Sequence, residues 1–331
     1  MSAPSLTGKT VLVTGATGFL GGALVRHLVT EGANVRAMVR RPNRDRDIRG
    51  LPNVAQVQGD LSQPHTLRGA VRGCAVVFHT AVSYGSYDEQ RQVNVEGTRQ
   101  LALACADEGV ARFVHVSSVA AYGYAVRGRV DENTPLAPAQ EPYSITKAHA
   151  ERALREVGAE RGLSYSIVRP GGIYGAGSGL WTRTMFNIAR RRPLLFIGDG
   201  TGNVPLVYVD DLTRLLALCA VHPAAQGEAF NAVYDPPHTW RAFLSAYADL
   251  VGGRRWLGVP FAPLWAVARL IAFFAPKPSP YATLADVLAY GRSNVSFSCQ
   301  KAQRLLGWQT SVTLEEGVAL CLPYLQAQRR Y

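Results

Sequence analysis

The chain has 331 residues, 47% of them hydrophobic and 18% charged, with a formal net charge of +11. That length accommodates one large α/β domain with a smaller one appended, and the composition is that of an ordinary globular protein rather than a disordered one. The basic balance (pI near 9.7) raises a polyanion partner. The basic residues are scattered, however, apart from the stretches Arg36 to Arg49 and Arg190 to Arg192. No aromatic-interleaved basic tract is present, so no nucleic-acid partner is expected. Five cysteines, at 74, 105, 219, 299 and 321, form no CxxC pair. Their odd count and wide spacing predict reduced thiols, free of metal, in a cytoplasmic protein. The first residues, MSAPSLTGK, carry no apolar core of a secretory signal.

The chain opens on its most informative stretch, Lys9 to Gly22, KTVLVTGATGFLGG. Val11 to Val13 reads as a buried strand, and Gly15, Gly18 and Gly21 as a glycine turn. An apolar-periodic helix follows through Phe19, Leu20, Ala23, Leu24 and Leu28. Strand, glycine turn and helix place a diphosphate on a helix N-terminus, where unpaired N–H groups and the helix dipole favour negative charge. The spacing is GxxGxxG rather than the commoner GxGxxG.

Further strands are predicted at Asn34 to Val39, Val54 to Val57, Val76 to Phe78 and Phe113 to Val116, with helices between them. This alternation predicts βαβ units and a doubly wound parallel sheet. A Gly- and Pro-containing loop runs from Ala120 to Pro142. After it come a helix from Tyr143 to Arg161, a strand from Ser164 to Val168 and a helix around Thr182 to Arg191. Short strands follow at Leu206 to Val209 and Phe230 to Val233, with a helix from Leu212 to Val221 between them. Asp210 and Asp211 read as the N-cap of that helix. Trp256 to Pro276 is very apolar but broken by Pro260, Pro263 and Arg269. It lacks the roughly 20 uninterrupted apolar residues of a membrane span. It reads as a core helix, a lid over an apolar substrate, or an interfacial anchor making a peripheral membrane contact.

Tyr143 and Lys147 are the sharpest chemical pair. Four apart on a helix, they share a face. A phenol titrates at about 10 in water. A neighbouring ammonium stabilises the phenolate and brings tyrosine toward acid–base use. Ser117 and Ser118 sit at the carboxyl end of the fifth strand, the edge where such sheets bind ligands.

Together these segments resemble the extended short-chain dehydrogenase/reductase family, which includes sugar-nucleotide epimerases, 3β-hydroxysteroid dehydrogenases and dihydroflavonol reductases. The matching pieces are TGATGFLG (14–21), GDL (59–61), FHTA (78–81), NVEGT (94–98), SSVAAYG (117–123), YSITK (143–147), RPGGIYG (169–175) and YVDD (208–211). They occur in the family's order and cover roughly residues 9 to 233. The resemblance implies residues 1–170, extended by 206–233, as the dinucleotide-binding domain. Residues 171–205 and 234–331 become a smaller, mostly helical substrate-binding domain. It implies Ser118, Tyr143 and Lys147 as the catalytic set, with Tyr143 exchanging the proton. Lys147 would hold the nicotinamide ribose and lower the tyrosine pKa. The pyrophosphate loop becomes Gly15, Thr17, Gly18, Phe19, Leu20 and Gly21. Asp60 and Leu61 border the adenine, Thr80 and Ala81 lie along the cofactor, and Pro170, Gly172 and Ile173 lie beside the nicotinamide. Asn94 is expected to be structural. Ser83, Tyr84 and Tyr174 are the substrate candidates. A homodimer through helices around Val93 to Ala106 and Ala148 to Val157 is implied as well.

Two departures refine this. NAD-preferring members carry an acid at the end of the second strand, where this chain reads Val39-Arg40-Arg41. An arginine there suits a 2′-phosphate, so NADP(H) is expected as cofactor, with NAD(H) the alternative. The segment before YVDD reads Val204-Pro205-Leu206, where sugar-nucleotide members are polar. The pattern therefore lies nearer the hydroxysteroid dehydrogenases and β-keto-acid reductases. The expected activity is NADPH-dependent reduction of a ketone, or oxidation of a secondary alcohol, on a small apolar molecule. A sugar-nucleotide epimerase or dehydratase is the alternative. A non-catalytic dinucleotide-binding protein is disfavoured by the intact serine, tyrosine and lysine.

Overall fold

A computed structural model describes residues 5–41, 48, 50–191, 193–253 and 255–328. Strand β1 (Thr10–Thr14) is buried on both faces, as its unbroken Val-Leu-Val run requires of a central parallel strand. Six more strands join it: β2 (Asn34–Val39), β3 (Val54–Gln58), β4 (Val76–His79), β5 (Arg112–Val116), β6 (Tyr165–Pro170) and β7 (Ala229–Ala232). All pair in parallel in the order β7-β6-β5-β4-β1-β2-β3. The order reverses between β1 and β4, and at such a switch point the strand ends diverge and leave a crevice.

Helices cover both faces. Helix α1 (Phe19–Thr30) follows β1, and α2 (Gly97–Asp107) precedes β5. Next come α3 (Pro142–Arg161), α4 (Val209–Val221) and α5 (Trp240–Asp249). Leu24, Leu28, Leu212 and Leu216 fill one face of the sheet with Val11, Val13 and Phe78. Leu101, Leu154 and Val157 fill the other with Leu12, Val77 and Phe113. A further core joins Tyr174, Met185, Phe186, Phe243, Tyr247 and Leu314 beyond the sheet. Each start and stop of α3 has a local cause. Glu141 accepts hydrogen bonds from the backbone N–H of Tyr143 (3.0 Å) and Ser144 (2.6 Å), and Pro142 takes the first turn. Gly162 ends the helix in the left-handed region at φ 68°.

One buried ion pair locks α3 to the sheet. Arg169 of β6 donates to both carboxylate oxygens of Glu151, at 2.8 and 2.7 Å. A third arginine N–H reaches the Tyr122 hydroxyl at 2.7 Å, and that hydroxyl donates to Asn231 of β7 at 2.9 Å. Glu151 is fully buried and Arg169 nearly so. A charge pair removed from water survives only when its hydrogen bonds are filled, as these are.

The structure corrects several sequence expectations. The stretch from Trp256 to Pro276 is not a core helix. It holds a short strand, Trp256–Val259, and helix α6 (Phe261–Phe274), of which Ala268 alone is buried. Proline at 260 and 263 only shapes its start. Asp210 and Asp211 are not an N-cap, because α4 begins at Val209 and Tyr208 precedes it. The Asp211 carboxylate instead accepts from the Ser311 N–H (3.2 Å) and hydroxyl (2.9 Å) and pairs with Arg214, tying the C-terminal segment to the sheet helices. The helix expected over Thr182 to Arg191 begins with a π-helical turn, Gly179–Thr184, before Met185–Ala189. Leu206–Tyr208 pairs with Gly172–Tyr174, outside the main sheet. All five cysteines are free and buried. Residues 42–47 and 49 of the first basic stretch, and Arg192 of the second, lie outside the described residues. Among the described residues no helix is long and apolar enough to cross a membrane.

The ion pair generates a stability prediction. Burial would raise the Glu151 carboxyl, but the hydrogen bonds and charge of Arg169, with Arg155, hold it below its ordinary value. Its contribution is therefore full above the unfolded carboxylate pKa and lost as pH falls through the lower folded value. Glu151→Ala leaves Arg169 buried without its carboxylate and is expected to cost about 3–5 kcal/mol. Thermal unfolding at neutral pH measures this, and a melting temperature equal to wild type would contradict it.

Candidate functional site

The glycine turn sits at the switch point between β1 and β4. Gly15 has φ 66°, and a Cβ there would come within 2.8 Å of Ala81 Cα. A Cβ on Gly21 would lie 2.0 Å from the Gly15 carbonyl oxygen, so the first turn of α1 packs directly on the loop. Across the crevice the Thr80 hydroxyl donates to the Thr14 carbonyl at 2.7 Å, and the Ala81 N–H donates to the Thr14 hydroxyl at 3.2 Å. These contacts bind the ends of β1 and β4 together beneath the loop.

Thr17 and Gly18 form the exposed edge of the turn, with Phe19 and Leu20 half-buried behind it. Gly18 caps α1 without a side-chain hydrogen bond, and the first turn carries no acid. The positive end of α1 is thus open and uncompensated, and a dinucleotide diphosphate fits it by charge and by hydrogen-bond donors. At the neighbouring strand ends lie the other expected cofactor residues. Arg40 directly follows β2 and is exposed. Asp60 follows Gly59 after β3, and its carboxylate accepts from the Ser62 N–H at 2.9 Å and hydroxyl at 2.7 Å. Leu61 is buried against Gly97, where a Cβ would lie 2.8 Å from its own. Pro170 ends β6, and Gly172 and Ile173 follow it.

Ser118, Tyr143 and Lys147 converge at the carboxyl end of β5. Ser118 leaves the strand in extended conformation, and its hydroxyl oxygen accepts from the Ala120 N–H at 3.1 Å. That bond turns the chain into Val119–Tyr122 and fixes the serine rotamer. The Ser118 hydroxyl is a near neighbour of the Tyr143 phenol. Lys147, one turn further along α3, is buried and donates to the Val116 carbonyl at 2.7 Å. Its ammonium lies 5.9 Å from the centre of the Tyr143 ring.

The electrostatics modify one expectation. Burial lowers the Lys147 pKa to about 8, against a raising influence from the Glu151 carboxylate. Burial pushes the Tyr143 phenol above its ordinary value, with Tyr84 adding to the rise and the Ser118 hydroxyl opposing it. The protein groups alone therefore raise the Tyr143 phenol rather than lower it, with desolvation the largest cause. A phenol held protonated is suited to give a proton to an oxygen that gains negative charge.

The substrate candidates divide. The Tyr84 ring stacks on Tyr143, centroids 5.4 Å apart at 21° between planes, and faces solvent on its other side. Ser83 anchors the same loop. Its N–H donates to the Asn94 side-chain oxygen at 2.7 Å, and its carbonyl accepts from the Asn94 amide at 3.0 Å. Asn94 is thus structural, set in a π-helical turn (Arg91–Glu96) that widens the helix toward the loop. Tyr174 is fully buried, its hydroxyl 2.6 Å from that of Tyr234 and its ring among Tyr208 and Phe243. It is a core residue and drops out of the substrate set. Glu151, Arg169 and Tyr122 were not singled out in the sequence. The signal was Glu151 itself, four residues after Lys147 on the same helical face. Among the described residues no His, Cys, Asp and Glu cluster could hold a metal ion.

Comparison with known proteins agrees with this geometry. The sequence pattern of the NAD dependent epimerase/dehydratase family matches residues 11–232. The chain is 31% identical to the 2-alkyl-3-oxoalkanoate reductase of Stenotrophomonas maltophilia, over 93% of this chain and 97% of the relative. It is 30% identical to a 3 beta-hydroxysteroid dehydrogenase/Delta 5-->4-isomerase of Mycobacterium tuberculosis, over 95% and 90% respectively. The crystal structure of gox2253 superposes with a TM-score of 0.82 at 27% identity, covering 98% of this chain and 99% of that one. The chain therefore belongs to the NAD-dependent epimerase/dehydratase family, and within it is an NAD(P)-dependent oxidoreductase of the 3β-hydroxysteroid-dehydrogenase-like branch.

Proposed function

We propose that the protein reduces a ketone on an apolar β-keto-acid-, steroid- or flavonoid-like molecule, with NADPH as the preferred cofactor. The observation that carries this is the convergence of Ser118, Tyr143 and buried Lys147 at the carboxyl end of β5. A bound nicotinamide supplies the hydride to the carbonyl carbon. Ser118 and Tyr143 hold the carbonyl oxygen between two hydroxyl donors, and Tyr143 gives its proton to that oxygen as it becomes alkoxide. The Lys147 ammonium stabilises the phenolate left behind and holds ribose hydroxyls. Run backwards, the same groups oxidise a secondary alcohol. Tyr84 and Ser83 provide the near wall for the substrate, the Tyr84 ring giving an apolar surface above Tyr143.

Several features support the finer parts of this reading. Arg40, exposed directly after β2, has the charge and planar fork for a 2′-phosphate. The Rossmann part comprises residues 1–170 with 206–233. Residues 171–205 and 234–331 form the substrate part, whose aromatic core around Tyr174 and Phe243 is separate from the sheet's own. The working form is a cytoplasmic homodimer packed through α2 and α3, and light scattering is expected to give a dimer mass.

A panel of β-keto esters, 3-ketosteroids, flavonoid-like ketones and UDP- or dTDP-sugars tests the reading, with NADPH absorbance as readout. Consumption is expected with at least one apolar ketone. Turnover of a nucleotide sugar with no net cofactor consumption would overturn it. Arg40→Asp is expected to lose NADPH efficiency by about tenfold or more, the worth of a charge-assisted hydrogen bond, while NADH efficiency holds. An unchanged preference would remove Arg40 from the cofactor set.

A further inference from the structure

Helix α6 presents an apolar face that none of the described residues covers. At helical spacing Leu264, Val267, Ile271 and Phe274 fall on one side with Leu270 beside them, and all five are exposed. Phe273 and Phe274 are the extreme cases, 81% and 76% exposed. The opposite side carries Phe261, Trp265, Ala268 and Ala272, the residues the helix turns inward. Next to the outer face lies an apolar groove of about 400 Å³ between Leu270, Ile271, Phe274, Pro276 and Tyr281. Contiguous apolar surface of this kind marks an interaction site.

Charge decides the occupant. Between Asp249 and Asp286 the sequence contains Arg254, Arg255, Arg269 and Lys277 and no acidic residue. Arg255, Arg269 and Lys277 are exposed, and the Arg269 guanidinium lies over the Trp265 ring, 4.9 Å from its centre. A second copy docked on this face would set these cations against their own counterparts, with no acid in the segment to answer them. An anionic lipid layer supplies both the negative charge and the apolar phase. The helix has 14 residues, about 21 Å of rise against roughly 30 Å of hydrocarbon, so it lies in the interface and does not cross.

We propose that α6 docks the protein peripherally on an anionic lipid surface, with Leu270, Phe273 and Phe274 in the acyl boundary and Arg269 and Lys277 among the headgroups. The helix after α6 touches the segment that leaves the serine turn. Helix α7 (Leu284–Gly291) follows α6, and its Tyr290 ring meets Tyr124 at 5.5 Å. Tyr124 lies on the loop that leaves the Ser118 turn. Docking thus ties the segment that leaves the Ser118 turn, through Tyr124 and Tyr290, to the bilayer in which an apolar ketone dissolves. Only this consequence rests on the substrate reading above.

Vesicle flotation tests the proposal, using the full chain with phosphatidylcholine vesicles and with vesicles containing phosphatidylglycerol. Wild type is expected to float with the anionic vesicles, less so at high salt, and weakly with phosphatidylcholine alone. Leu270→Glu/Phe274→Glu and Arg269→Gln/Lys277→Gln are each expected to lose at least about tenfold in partitioning. Their unchanged far-UV melting would show that the fold is intact. Absence of flotation, or equal flotation of wild type and the glutamate variant, overturns the proposal. So does light scattering in which the glutamate variant converts a wild-type dimer to monomer, since the face would then hold a second copy. Flotation needs no turnover, so a failure of the oxidoreductase reading registers only in the NADPH panel.

Discussion

The Glu151–Arg169 ion pair is the constraint on which the site depends. It joins the middle of α3 to the end of β6, and through Tyr122 and Asn231 it reaches the serine turn and β7. Tyr143 and Lys147 ride on the first turns of that same helix, so the pair sets their distance from the carboxyl end of β5. It also has an electrostatic role. A lysine with no carboxylate nearby would be strongly disfavoured as a cation at the depth of Lys147. Glu151, one turn along, offsets part of that burial. Structure and acid–base chemistry are thus tied to one buried carboxylate.

The cofactor end follows a different logic, one of steric exclusion. The crevice at the β1–β4 reversal is narrow because Thr80 and Ala81 are bonded to Thr14. Only glycine fits at 15 and 21, since any side chain would strike the Ala81 backbone or the loop's own carbonyl. What remains open is the uncapped end of α1. Binding there needs no charged side chain.

Much of this was legible in the sequence because it rests on short-range rules. The Val11 to Val13 run, the glycine spacing and the regular alternation of strands and helices gave the sheet and its switch point. YSITK and SSVAAYG gave the convergence of Ser118, Tyr143 and Lys147, since a helix face and a strand end have fixed geometry. What sequence could not resolve depended on long-range packing. Tyr174 looked like a substrate residue from its motif, but its hydroxyl meets Tyr234, sixty residues away. Asp211 looked like a cap, yet its partners are Ser311 and Val312 from the far end of the chain. The apolar run at 261–274 had the composition of a core helix. Only the folded chain reveals that none of the described elements covers it. The rise in the Tyr143 pKa likewise comes from desolvation, which a YxxxK spacing does not encode.

The central claim is that Tyr143 delivers the proton while the rest of the site binds and orients. Tyr143→Phe tests it most directly, with cofactor affinity followed by fluorescence titration and turnover followed on the best ketone. The phenylalanine keeps the ring that stacks with Tyr84 and removes only the hydroxyl. The account predicts cofactor affinity close to wild type and turnover reduced by about 10²–10⁴-fold, the usual worth of a positioned general acid. Turnover near the wild-type rate would contradict it.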